Sequence, residues 1–391
     1  PLKAVGTPIV LASGNARECS VSRTGFNNPD NVEFRTASLD WVLTVEGTVT
    51  MAPLTTNATS IVVEYGSRFG AGDFVLIGGW TGVGVADAVP EIAYVTDRTG
   101  TTLTLVRGEI TTPQEHVSGV RIAAVSSRWS DEWQTAFEMD CTTSCPVVGG
   151  QTFNDWNIAR IQDYIAKAAY DGVYLDCFDA AMGTGGLWTD IHGHLVDHDR
   201  DNTTEWSAFV TTFNAGLQSL MAGLRSALGG AIILANGGGL GNKSTAFNGM
   251  SWEGLPPLLA DDNGPDWSAD DWYFFTVATG STNRDAYLEH LTNDTAPNLS
   301  TFNCYGSDEV TQDAEHYQHL RYGLCTALMG DGYFQFPQTL SRGLHRYDEY
   351  DNAGAGRGYL GAPVGDIRLV LAETGADLFG VSGAFNSLGA W

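Results

Sequence analysis

Hydrophobic residues fall into two patterns along this chain. Between residues 47 and 125 they come in short runs: "TSIVVEY", "GDFVLIGG", "EIAYVTD", "TTLTLVRG" and "VRIAAV". Gly, Asn, Asp and Thr separate them, and "DRTGTT" reads as a hairpin turn. No helical period interrupts the stretch, so a small all-β module is expected. Beyond it the period changes. Ile158, Ile161, Ile165 and Ala168 recur at helical spacing behind a capping Thr152 or Asn154. Trp206, Phe209, Val210, Phe213, Leu217, Leu220, Leu224 and Leu228 form one helical stripe. Thr203, Thr204 and Glu205 open it, and two glycines close it. Unbroken apolar runs, "GVYLDCF", "AIILAN", "WYFFTVA" and "STFNCY", read as buried strands, and a helix over 311–329 precedes "DGYFQF".

Apolar strands alternating with amphipathic helices imply a parallel sheet covered by helices. In a chain of 391 residues the expected fold class is α/β. The expected architecture is a (β/α)8 TIM barrel carrying an inserted all-β small barrel or sandwich module. "LDWVLT", from Leu39 to Thr44, would be an early barrel strand. The expected boundaries are 1–46 for the first part of the barrel, 47–125 for the insertion, 126–365 for the remainder, and 366–391 for a C-terminal segment. A doubly wound sheet is the alternative, but no glycine-rich dinucleotide turn follows a first strand.

Barrel active sites lie where strands end, so polar residues after apolar runs are the candidates. Asp176 follows "GVYL", Asn236 follows "AIILA", and Glu253 follows "GMSW". Asp179, Asp348 and Glu349 stand in nearby loops, Gln335 lies within "GYFQF", and Asp140 follows "AFEM". This set is rich in carboxylates and has no nucleophile elbow or Cys-His signature. Paired carboxylates are the minimal apparatus of glycoside hydrolysis: one protonates the leaving oxygen, and the other attacks or activates water. Asp176 and Glu253 are the catalytic candidates. Trp188 and Trp252, with Asp179, Asn236, Asp348 and Glu349, are the substrate-binding candidates, the tryptophans as platforms for sugar faces. Trp267, Trp272 and Tyr350 are further aromatic residues near these loops.

Two resemblances sharpen this reading. "FGAGDFVLIGG", with the strands after it, resembles a small β-barrel found in many phage tail and virion proteins. The positions that carry it are Gly72-Asp73, Glu91, Arg107-Gly108 and His116. The region from Thr152 to Gly365 resembles a group of TIM-barrel glycosyl hydrolase-like proteins, distantly similar to polygalactosaminidase and α-galactosidase-like barrels. "DGVYLDCFD", "ILANGG", "SWEG", "LMGDGYF" and "YDEYDNAGAGRGYLGAP" carry that likeness in order. Together they imply a virion protein of a phage tail or spike that binds, and by its paired carboxylates cleaves, a cell-surface polysaccharide. The alternatives are a non-catalytic glycan-binding or structural virion protein, and a secreted bacterial glycosidase. Expected partners are the polysaccharide, other tail subunits and further copies in a homo-oligomer.

Charge narrows the partners. The formal net charge is -26, and lysine occurs only at Lys3, Lys167 and Lys243. Such a field repels nucleic acid and anionic membranes, and no apolar run is long enough for a membrane span. No leader pattern is visible, so with Pro1 as the native start, export by the usual route is not expected. No cofactor is implied. "DIHGHLVDHDRDNTTEW" offers one weak calcium candidate at Asp197, Asp199 and Asp201. Asn202 and Ala208 occupy positions where an EF-hand needs glycine and glutamate, so a true EF-hand is excluded. His192 and His194 could reach one transition metal. Among six cysteines no zinc spacing exists, and Cys141 and Cys145 are near enough in sequence for a loop disulfide.

Overall fold

A computed structural model describes residues 9–16, 18–20, 37–80, 87–126, 136–168, 170–178, 188–236, 246–253, 293–303 and 332–336, with His290 and parts of 317–327. In chain order the strands are β1 (Leu11–Asn15), β2 (Glu18–Ser20), β3 (Thr44–Val45), β4 (Thr48–Val49), β5 (Ser60–Val62), β6 (Phe74–Gly79), β7 (Asp87–Thr99), β8 (Thr102–Val106), β9 (Arg121–Ala124) and β10 (Ala136–Glu138). Helix α1 (Phe153–Ala168), β11 (Gly172–Asp176), β12 (Val196–Asp197), α2 (Trp206–Leu228), β13 (Ile232–Asn236), β14 (Gly249–Glu253), β15 (Thr301–Asn303) and β16 (Tyr333–Gln335) follow. The chain divides into two compact units: Pro1–Leu11, Asp171–Leu175 and Ala231–Trp391, and Ala12–Tyr170 with Asp176–Gly230.

The second unit contains an antiparallel sheet in the order β4-β9-β6-β7-β8-β5. It curls until its outer strands meet: Thr50 bridges Val63, Met51 N–H donates to the Val62 carbonyl, and Glu64 N–H donates to that of Val49. Alternation explains the curl. Ile61, Val63, Val75, Ile77, Ala93, Val95, Leu103, Leu105, Val120 and Ile122 point inward and form one core. Gly72 has φ 103 and opens β6 in a conformation that only glycine adopts readily.

Both long helices lie where the sequence places them, but of the expected α1 stripe only Ile161 is buried, beside Phe153 and Asn157, and Ala168 is exposed. At α1, Thr152 and Asp155 cap each other. Thr152 Oγ1 accepts the Asp155 N–H at 3.3 Å, and the Asp155 carboxylate accepts the Thr152 N–H at 3.0 Å. α2 buries Phe209, Phe213, Leu217, Leu220 and Leu224, and ends at Gly229 with φ 57. Among the described residues, no helix is long and apolar enough to cross a membrane.

In the first unit β11, β13, β14, β15 and β16 pair side by side, all parallel. Ile232, Leu234 and Leu299 form a small core, with Ile9, Leu11, Tyr174 and Tyr333 against it. The backbones of Val10 and Asp171 join there, and Asp171 Oδ2 accepts the Val10 N–H at 2.8 Å.

This architecture overturns the (β/α)8 expectation. The described residues show one parallel ladder and a larger curled antiparallel sheet, with few helices and no eightfold alternation. "LDWVLT" is decisive. Leu39–Trp41 is a 3-10 turn, and the residues after it run antiparallel to the β10 segment, with Val42 bridging Met139. β3 pairs antiparallel with β12. Short apolar runs report burial and leave open whether the neighbouring strand is parallel or antiparallel. The "WYFFTVA" run and most of the 311–329 helix lie outside the described residues.

Candidate functional site

The C-terminal ends of the parallel strands collect polar residues. In register, Asn236 pairs with Ser251, and Glu253, Asn303 and Gln335 form one backbone row across β14, β15 and β16. Asn236 is half-buried and Gln335 exposed. Asn303 was not anticipated; the only signal for it was a polar residue closing the apolar run of "STFNCY".

Asp176 closes β11 and is half-buried. Its Oδ1 accepts the N–H of Cys177 at 2.9 Å. Cys177 stands in the left-handed region, with φ 56, at a cost of about 1–2 kcal/mol for a residue with a side chain. Its thiol and the Phe178 ring then return to the interior. Strain held beside a carboxylate at a strand end is characteristic of functional positions.

The two tryptophans expected to be platforms are core residues. Trp188 is 1% exposed and wedged edge-on between Phe209 and Phe213, with ring centroids 5.5 and 4.5 Å away. Trp252 is 7% exposed and stacked on Phe302 at 6.1 Å, with the His290 ring edge-on at 5.6 Å. Their faces are used in packing, because burying a large ring outweighs presenting it. Asp179, Asp348, Glu349, Trp267, Trp272 and Tyr350 lie outside the described residues.

The residues that carried the virion-module resemblance converge. The Arg107 guanidinium meets Glu91 through two bonds, Nε to Oε1 at 2.7 Å and Nη2 to Oε2 at 2.6 Å. Arg107 also donates to the carbonyls of Thr55, Ala58 and Gln114. The Gln114 N–H donates to Glu91 Oε2 at 2.8 Å, and His116 Nε2 lies 3.2 Å from it. Burial by itself would raise the Glu91 pKa, but the donors from Arg107, His116 and Gln114 prevail and hold it below the usual range.

The weak calcium candidate is a real juxtaposition. Asp197, Asp199 and Asp201 each offer a carboxylate oxygen within 4.8 Å of the others, so these three could hold a cation. Asp197 already has a strong partner, since its Oδ2 accepts Arg121 Nη2 at 2.8 Å. Arg121 also donates to Asn202, Thr44 and the Val45 carbonyl, tying β9 to β3 and the acidic loop. His192 and His194 turn to separate carboxylates. His192 Nε2 lies 3.3 Å from Asp73 Oδ1, and His194 Nδ1 lies 2.7 Å from Asp190 Oδ2. Cys141 and Cys145 are both buried and are not joined by a disulfide, and Cys145 Sγ accepts the Phe153 N–H at 3.4 Å.

Three buried acids titrate near neutrality. Burial pushes Asp73, Asp140 and Asp197 each up from 3.8 to about 6. Asp140 accepts the N–H and the hydroxyl of Thr142 at 2.9 and 2.6 Å, which only partly offsets its burial. The folded chain therefore keeps these protons up to about pH 6, while the unfolded chain releases them near 3.8. Stability contributed this way rises as pH falls from above 6 towards 4. Glu91 has the opposite sign: its contribution is present above 4.5 and is lost as pH falls through its lowered folded value. Thermal melts from pH 8 to pH 3 should therefore peak on the acid side of neutrality, near pH 5. A Tm that climbs steadily to pH 8 would contradict this assignment.

No protein-family model matches the sequence, and no curated protein matches it. Among solved structures, the chain is similar to the Gp54 tailspike of Acinetobacter baumannii bacteriophage AP22, determined in complex with A. baumannii capsular saccharide. The TM-score is 0.18 and the identity 14%, over 22% of this chain and 15% of that one. The chain thus spans a small part of that tailspike's length, and a likeness of this size identifies neither a fold nor a saccharide.

Proposed function

We propose that this chain is a glycan-binding protein of a virion tail or spike, taking its polysaccharide at the C-terminal strand ends of the parallel sheet. The supporting observation is the polar row there: Asn236 level with Ser251, and Glu253 level with Asn303 and Gln335. Ligands of parallel sheets bind outside the carboxyl ends of the strands, and amides and carboxylates are suitable partners for sugar hydroxyls. Asp176, at the end of β11 and beside the strained Cys177, belongs to the other compact unit and is a separate candidate for contact with the polysaccharide. The virion setting is supported by the sequence resemblance of the β module, whose marker residues Glu91, Arg107 and His116 join in one buried network. In this reading the module serves attachment to other tail subunits.

Binding of the full chain to immobilised polysaccharides tests the reading. Asp176→Asn and Asn236→Ala should each weaken binding roughly tenfold, about 1.4 kcal/mol. Unchanged affinity in both variants would remove the assignment.

Hydrolysis is the second reading, favoured by Glu253, which like Asp176 closes a strand of the parallel sheet. Assaying reducing ends released by wild type, Asp176→Asn and Glu253→Gln decides it. No release from wild type, with binding retained, leaves a binding protein.

A further inference from the structure

The end of β6 carries an exposed aromatic ring whose backbone is held at both ends and whose ring has one guanidinium against it. β6 and β7 lose register between Ile77 and Gly79, and Gly78 and Gly79 have φ 78 and 80. A bulge of this kind re-aims the side chain that follows it. That side chain is Trp80, 36% exposed, the most open tryptophan among the described residues. Its backbone is pinned at both ends: Trp80 N–H donates to Asp40 Oδ1 at 2.6 Å, and its carbonyl accepts Arg200 Nη1 at 2.7 Å. The guanidinium carbon of Arg200 lies 5.6 Å from the ring centroid. Arg200 is itself buried and bound to the carbonyls of Asp40 and Val42. The φ of 80 at Gly79 favours glycine, and a Cβ there would also come 2.5 Å from the Asp40 Oδ1 that holds Trp80.

We propose that Trp80, backed by Arg200 and flanked by Asp40, is a saccharide subsite for an uncharged or amino pyranose. The ring is exposed, and a bulge, a carboxylate and a buried guanidinium fix the backbone that presents it, the guanidinium also lying against the ring. A flat indole fixed before the ligand arrives suits the CH face of a pyranose, and preorganisation spares the cost of ordering it on binding. Asp40 keeps lone pairs beyond the one used by Trp80, so it accepts sugar hydroxyls. Arg200 Nη1 lies 4.0 Å from Asp40 Oδ1 and offsets its charge, so it is the chain's formal charge of -26 that disfavours uronic and sialic acids. The subsite rests on the glycan-binding reading and lies apart in sequence from the strand-end residues that carry it.

The test uses the full chain on an array of immobilised neutral, amino-sugar and acidic oligosaccharides, with affinities for the hits measured by surface plasmon resonance. Wild type should select neutral or amino sugars. Trp80→Ala and Trp80→Leu should each weaken the hits roughly tenfold, one aromatic contact's worth, and Trp80→Phe should recover most of the loss. Trp80→Leu keeps apolar bulk over Arg200, and thermal melts of each variant confirm folding. Hits that ignore both Trp80→Ala and Trp80→Leu overturn the subsite and leave the strand-end reading standing. Selection of acidic glycans alone also overturns it, and no hits from wild type overturn both.

Discussion

Glu91→Gln should lower the unfolding free energy by about 3–5 kcal/mol, the cost of leaving a buried charge without its partner. Both side chains of the Glu91–Arg107 pair are almost fully buried, at 0% and 4% exposure. Removing the carboxylate charge leaves the guanidinium facing only carbonyl dipoles, and His116 and the Gln114 N–H also lose their anionic acceptor. Arg107→Met should cost as much, because it leaves Glu91 buried and ionised. The double replacement Glu91→Leu with Arg107→Met should cost less than either alone, since the desolvation of both charges is then avoided. Urea unfolding of the four proteins measures these costs side by side. Single-variant costs below about 1 kcal/mol, typical of a surface pair, would refute the assignment of this network as the module's brace. The pH dependence offers an independent check. Wild type should lose stability below the 4.5 reference value as Glu91 takes up its proton, and Glu91→Gln should lack that limb of the curve.

Gly216→Ala should destabilise by about 3 kcal/mol, although alanine is the better helix former by about 1 kcal/mol. A Cβ at Gly216 would overlap the Cys141 carbonyl oxygen, and backbone cannot swing aside as a side chain can. The helix is seated on that segment through its own backbone. Thr143 N–H donates to the Thr212 carbonyl at 3.1 Å, and Asn154 Nδ2 bridges the carbonyls of Gly216 and Cys141 at 3.0 and 3.3 Å. Gly223→Ala, in the same helix, is the control. Its Cβ would meet only the Ile158 Cδ1 methyl at 2.5 Å, the movable end of a side chain. That variant should be neutral or slightly stabilising. Equal effects of the two substitutions in thermal melts would show that helix propensity, and not the close approach, decides.

Local pattern carried much of the secondary structure. β5 to β9 of the curled sheet lie where short apolar runs between turn residues place them, and α1 and α2 span the stretches of helical period, though of the α1 stripe only Ile161 is buried. The Thr152–Asp155 cap also stands in the sequence, since it joins residues three apart. Asp176, Asn236 and Glu253 were legible as strand-end polar residues because they interrupt apolar runs. Asn303 was legible only faintly, and its register with Glu253 and Gln335 depends on strands far apart in the chain.

What the sequence determined by itself is therefore period and punctuation: which residues face inward within an element, and where that element begins and ends. Only the tertiary structure decided partners. Glu91 and Arg107 are 16 residues apart, Arg121 and Asp197 are 76, and the Arg200 guanidinium reaches the Asp40 carbonyl across 160. No local period encodes such pairings. For the same reason "LDWVLT" could be read as a parallel barrel strand, yet it pairs antiparallel. Trp188 and Trp252 could be read as open platforms, yet they pack in the core. An apolar run or a large ring states that burial is favourable, and the path of the whole chain determines what it is buried against. Trp80 shows the converse: its exposure comes from a bulge, a buried guanidinium and a carboxylate that the fold gathers from distant positions.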